Sequence, residues 1–215
     1  MKKLLIIRPV IPNDDFTIRF SDPACGSVTA EALAQGWQVT ELRGNAANRA
    51  NVQNSIQNDN PDLIIHYDHG GNDKLVGQKN NTREAVLDSS GQNPNVGLLT
   101  HAMVSTVSCS SAFSFGYHAI NACTLNEKAY LGYRWPICCV FDYVDYFTRA
   151  ANEANYALLQ GETFGRAKER GDQQYDQELA ALGQINDLYV KLFVRPIMWW
   201  DKTVFTLLGG PQAKP

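Results

Sequence analysis

Apolar residues in the first third of the chain gather in short unbroken runs set off by polar stretches. The run KLLII (3–7) shows no alternation, as a parallel strand covered on both faces requires. WQVTEL (37–42) predicts a second strand and DLIIHY (62–67) a third. Helices are expected between them, one over 27–35 with Gly36 as C-cap and one over 49–58, where Val52 and Ile56 share a face. MVSTVSCSSA (103–112) predicts a fourth strand, AINACTL (119–125) a short helix, and KAYLGYRWPICCVF (128–141) a fifth strand around Tyr130–Tyr133. Two long helices are expected over 143–161 and 163–182, with strand or packing segments at 187–194 and 201–210. The segment 70–95 is rich in Gly, Asn and Asp and reads as a long, partly mobile surface connection.

Strands alternating with helices predict one domain over 1–215, an α/β fold with a mainly parallel open sheet. Ligands of such sheets bind beyond the carboxyl ends of the strands, near the point where strand order reverses. The loops after Arg8, Tyr67, Val107 and Tyr133 therefore share one address.

Composition narrows the partners. Of 215 residues, 44% are hydrophobic and 19% charged, enough apolar material for a sizeable core. The net charge of −3 without a Lys/Arg cluster argues against nucleic acid. The opening MKKLLIIRPVIP imitates a leader, but its apolar run ends at Ile7, too short for a signal core or a membrane span. Five cysteines (25, 109, 123, 138, 139) form no CxxC pair, so a reduced, cytoplasmic protein is expected. Adjacent Cys138 and Cys139 read as small hydrophobes buried on opposite faces of a strand.

The chemistry concentrates where two strands end. His69 follows the third strand and Cys109 closes the fourth, forty residues later. On neighbouring strands about 5 Å apart, the two side chains overhang one edge, the placement a nucleophile–base pair requires. The thiolate attacks a carbonyl, and the imidazole keeps the proton that the leaving amine later needs. Gly70 exposes a backbone N–H that can join that of Cys109 in an oxyanion hole. Ser108, Ser110, Ser111 and Ala112 are small and leave the thiol accessible.

These motifs resemble those of the caspase-like, clan CD cysteine peptidases, in particular the gingipain-like and CHAT-like branches. LIIHYDHGG (63–71) resembles their strand–His-Gly motif and VSTVSCSSA (104–112) their strand ending in the nucleophilic Cys. KAYLGYRW (128–135) resembles the following strand, which supplies substrate-binding wall residues. ALLQGETFGRAKERG (157–171) and TVFTLLGGPQA (203–213) are similar to later segments of those proteins. The resemblance implies a caspase–hemoglobinase fold with helices on both faces of the sheet. It implies endopeptidase activity with His69 as imidazole, Cys109 as nucleophile and Gly70 in the oxyanion hole. It further implies a single charged or polar P1 residue, with Arg or Lys favoured, and no cofactor. A peptide or protein is then the substrate, and a regulatory protein is a possible partner.

Two departures stand out: Val107 occupies a position where many relatives carry Asp, and Gly210 replaces the Asp of the closing segment. A basic-P1 pocket then needs its acid from elsewhere. Asp15 and Asp22, with Asp14 beside them, are the candidates, Asp142 and Asp145 are held in reserve, and Trp135 is a candidate pocket wall. Lys74, Lys79 and Arg83 in 70–95 are candidate self-cleavage points. Rival readings are an inactive caspase-like scaffold that binds partners, and a metal-dependent hydrolase using His66, Asp68 and His69 with His101 or His118. No G-x-S-x-G elbow supports a serine hydrolase, and no Gly-rich loop after the first strand supports a nucleotide or flavin site.

Overall fold

The unbroken apolar runs form the middle of a six-stranded sheet in the computed structural model, which describes residues 1–215. The elements are β1 (Lys3–Arg8), α1 (Asp22–Ala34), β2 (Gln38–Arg43), α2 (Arg49–Asp59) and β3 (Leu63–Tyr67). There follow β4 (Gly70–Gly71), β5 (Lys74–Lys79), β6 (Thr82–Asp88), β7 (Met103–Val107) and α3 (Phe115–Ala122). The chain closes with β8 (Ala129–Tyr133), α4 (Val144–Leu159), α5 (Phe164–Gly183), α6 (Arg195–Val204) and β9 (Phe205–Gly209). The main sheet runs β2-β1-β3-β7-β8-β9, parallel throughout except for antiparallel β9 at the edge.

Both faces of this sheet are covered. Leu4, Ile6, Leu63, Ile65 and Val107 meet α1, α4, α5 and α6 on one side, while Leu5, Ile7, Ile64 and Val104 meet α2 and α3 on the other. Burial on both sides is why β1, β3, β7 and β8 lack hydrophobic alternation. Each such Leu or Ile stabilises the fold by about 1.5–3 kcal/mol relative to exposure. α4 presents Ala150, Ala151, Ala154, Ala157 and Leu158 at helical spacing, small residues that let it sit between its neighbours. Tyr67 Oη donates to Asn152 Oδ1 at 2.5 Å and accepts from Asn155 Nδ2 at 2.8 Å, while Ser105 Oγ donates to Asn155 Oδ1 at 2.6 Å. This satisfied buried network clamps the carboxyl halves of β3 and β7 to α4.

The segment 70–95 departs from expectation. It is not a loose connection but a second sheet, β4-β5-β6, antiparallel and packed through Leu75, Val86 and Leu87 into the same core as α2. Asn80 and Asn81 both have positive φ (48° and 62°), the conformation of a two-residue hairpin turn. Gly77 is required by contact: a Cβ there would lie 2.1 Å from Ala47 O. Lys74, Lys79 and Arg83 therefore sit in a paired hairpin, a poor shape for a self-cleavage site.

The tail also differs. Residues 190–194 form a π-type turn running into α6, with Val190, Val194 and Met198 buried four apart. Only 205–209 of the second tail segment is strand. Trp199 and Trp200 are exposed, although Trp200 Nε1 donates to Pro136 O at 2.8 Å. Cys138 and Cys139 lie in the loop after β8 rather than in a strand, Cys138 exposed and Cys139 partly buried. No helix is long and apolar enough to cross a membrane.

Candidate active site

β2 and β3 flank β1 on opposite sides, so strand order reverses between β1 and β3. Ligands of open α/β sheets bind near such a reversal, and the loops that follow β1 and β3 meet there. The loop after β1 brings Asp14, and the loop after β3 brings Asp68 and His69. β3 and β7 pair in parallel from Leu63↔Met103 to Tyr67↔Val107, a constant offset of forty. His69 and Cys109 consequently emerge two residues beyond the same rung of adjacent strands. The forty-residue spacing is the sheet register itself.

His69 Nε2 lies 2.7 Å from Asp14 Oδ2, and Phe16 packs against the ring at 5.3 Å between centroids. Asp14 Oδ1 meanwhile accepts from the N–H groups of Phe16 (3.2 Å) and Thr17 (3.4 Å), so the turn opening the first helical segment fixes the carboxylate. Burial alone would raise the Asp14 carboxyl, but hydrogen bonds from Arg83 and His69 outweigh it and hold the group below its ordinary value. With Asp14 as acceptor at Nε2, the proton of the neutral ring sits there. Nδ1 has no hydrogen-bond partner in the chain and keeps its lone pair.

Cys109 is partly buried. Its Sγ donates to Ile137 O at 3.6 Å, and burial pushes the thiol up, so the resting group is a thiol rather than a thiolate. No hydrogen bond joins it to His69 in this state. Ser110, next in the chain, holds a left-handed φ of 54° that sequence reasoning did not flag. Its N–H donates to Trp135 O at 3.2 Å, and that of Ala112 to Tyr133 O at 3.0 Å, stitching the Cys109 loop to the loop after β8.

Gly70 packs so tightly on this loop that a Cβ would lie 2.8 Å from both Cys109 O and Ser108 Oγ. Val76 N donates to His69 O at 3.1 Å, which makes Gly70↔Leu75 a non-hydrogen-bonded pair of the small sheet. The Gly70 N–H is thus not spent in the ladder, and the Cys109 N–H has no acceptor in the chain. Two backbone donors, one on each side of the Gly70–Cys109 contact, remain free.

No family model and no curated protein sequence matches this chain. Solved structures do. It is similar to the crystal structure of the Arg specific cysteine proteinase gingipain R, with a TM-score of 0.58 and 12% identity over 99% of this chain. It is also similar to the complex of the pro- and mature domains of Porphyromonas gingivalis RgpB, with a TM-score of 0.57 and 12% identity over 98% of this chain. The fold is gingipain-like. The chain spans about half the length of these structures, 47% of each.

Within this gingipain-like frame the other candidates fall apart from one another. Asp22 is no free pocket acid: Arg8 holds it at 2.5 Å and Arg43 at 2.9 Å. Asp14 serves His69 rather than a pocket. Asp15 is exposed on the same turn and forms no ion pair. Trp135 is half-exposed, with its ring 5.3 Å from Phe113, and borders the Cys109 loop. Asp201 on α6 was missed, since nothing in its local sequence marks it. It is buried, accepts from Cys138 N at 3.2 Å and anchors the loop after β8.

The metal alternative fails on geometry. His66 is fully buried, with Nδ1 bonded to Thr106 Oγ1 (3.0 Å) and Nε2 to Val76 O (2.7 Å). Burial lowers it to about 4, so it is neutral and ties β5 to β3. His101 and His118 are exposed elsewhere, and no three His, Cys, Asp or Glu side chains converge.

Asp68 is the unsatisfied member of the cluster. Its carboxyl is fully buried 3.7 Å from His69 Nε2, and neither oxygen has a hydrogen-bond partner. Burial raises it to about 8, against a smaller lowering by the backbone N–H of His69. A carboxyl raised in the folded state contributes stability below its unfolded value near 4, and loses it as pH rises through 8. Asp68→Asn is therefore expected to stabilise the fold by several kcal/mol at pH 8.5 and by almost nothing at pH 4. Urea unfolding at both pH values reads this, and equal effects at the two would contradict it.

Proposed function

We propose that this chain is a cysteine endopeptidase in which Cys109 is the nucleophile and His69 the general base. One observation carries the reading: the β3–β7 register sets His69 and Cys109 beyond the same rung, beside two unspent backbone N–H donors. The thiol proton passes to Nδ1 of His69 while Asp14 holds Nε2–H and stabilises the imidazolium. Sγ adds to the scissile carbonyl, and the oxyanion is received by the N–H groups of Gly70 and Cys109. The imidazolium then protonates the leaving amine as the C–N bond breaks, and water, deprotonated by Nδ1, hydrolyses the thioester.

For the substrate we propose one charged or polar P1 residue lying against Trp135. Of the acids weighed in the loop after β1, only Asp15 carries no partner, which makes it the candidate for a basic P1. A panel of fluorogenic peptides varied at P1 tests both points. Cleavage is expected to be selective for one P1 class and to stop when Cys109 is alkylated. Cleavage that persists after alkylation of Cys109 would rule the reading out.

A further inference from the structure

One group at the site has no part in this chemistry. Arg83 reaches in from β6 and places Nη2 2.8 Å from His69 Nε2 and 2.7 Å from Asp14 Oδ2, while its side chain stays 56% exposed. A guanidinium and the imidazole thus share one carboxylate oxygen. The two N–H donors are closer together than they favour, and the conflict grows when the ring takes a second proton and becomes a cation. Asp14 stabilises that cation; Arg83 opposes it. The protonated Cys109 thiol, turned to Ile137 O, fits such a resting state.

The backbone that carries Arg83 is fixed. Val76 O accepts from His66, Gln78 N donates to Ala47 O at 2.8 Å, Val10 N donates to Gln78 Oε1 at 2.8 Å, and Arg49 pairs with Asp88 at 2.5 Å. Releasing the guanidinium therefore asks for rotation of one side chain, not for opening of the hairpin. Asp14 is its single carboxylate partner, and a carboxylate on a bound peptide competes for it with the same chemistry.

Resting on the peptidase reading, we propose that Arg83 is a brake on the His69–Cys109 pair, released when an acidic side chain of the substrate draws the guanidinium away from Asp14. Arg83 then contributes to specificity as well as to restraint. Proton transfer from Sγ to Nδ1 then proceeds with Asp14 against Nε2 and no guanidinium beside it.

The test compares wild type, Arg83→Gln and Arg83→Lys, each with and without His69→Ala. Iodoacetamide alkylation of Cys109 at pH 7 is followed by peptide-resolved mass spectrometry, with exposed Cys138 as the internal reference. Arg83→Gln is expected to react roughly fivefold faster at Cys109, Arg83→Lys near the wild-type rate, and His69→Ala to erase the gain. Paired peptides differing only by Glu against Gln beside the scissile bond read the release. Wild type should favour the Glu peptide, and Arg83→Gln should cleave both alike. Equal alkylation of wild type and Arg83→Gln overturns the proposal, as does wild-type cleavage indifferent to the pair. Faster alkylation with no peptide cleaved upholds the brake and overturns the peptidase reading.

Discussion

Cys109→Ala is expected to abolish the proposed peptide hydrolysis, lowering kcat/KM by roughly 10⁴-fold or more, and to leave the fold intact. The sulfur makes one weak hydrogen bond, to Ile137 O, so its removal costs little packing. The informative measurement is the pair of substitutions. Nucleophile and base act as a unit, so Cys109→Ala combined with His69→Ala is expected to cost no more than Cys109→Ala alone. Steady-state kinetics on a cleaved peptide, beside far-UV circular dichroism of each variant, reads this. Costs that add would mean that His69 and Cys109 serve separate processes, and the proposed dyad would be abandoned.

Gly70→Ala comes second in size. The added Cβ would meet Cys109 O and Ser108 Oγ at 2.8 Å, and Cys109 O is backbone that can yield only by shifting the Cys109 loop. That shift moves both proposed oxyanion donors at once. Losing one such donor typically costs about 10²–10³ in kcat, and the overpacking costs roughly 1–3 kcal/mol of stability. The expected signature is a fall in kcat with KM little changed, since the oxyanion forms only beyond the ground state. A variant that keeps wild-type kcat would remove Gly70 from the mechanism.

Both effects arise at a strand end whose outline is readable from residues alone. Unbroken runs such as Leu4–Ile7 and Leu63–Ile65 mark strands covered on two faces, and Val52 with Ile56 marks a helix. Local pattern suffices there because burial dictates residue type position by position. The tail resisted the same reading. Its Val, Phe and Trp residues favour strand by propensity, yet burial of Val190, Val194 and Met198 every fourth residue made it helical. The 74–88 hairpin was obscured by its polar outer face and by an Asn-Asn turn in place of the commoner Asn-Gly.

The candidate site divides along the same line. By itself the sequence determined the strands β1, β2, β3, β7 and β8, most of the helices around them, and the placing of a His-Gly pair and a Cys just past two strand ends, because each rests on short-range patterning. Only the tertiary structure decided what surrounds them. Asp14 was assigned to His69 and not to a pocket, Asp22 was consumed by Arg8 and Arg43, and Arg83 was carried from a supposed loop onto the imidazole. These are contacts between residues 14 to 69 positions apart, and their partners are chosen by sheet order and hairpin geometry. A charged side chain carries no local mark of its eventual counter-ion.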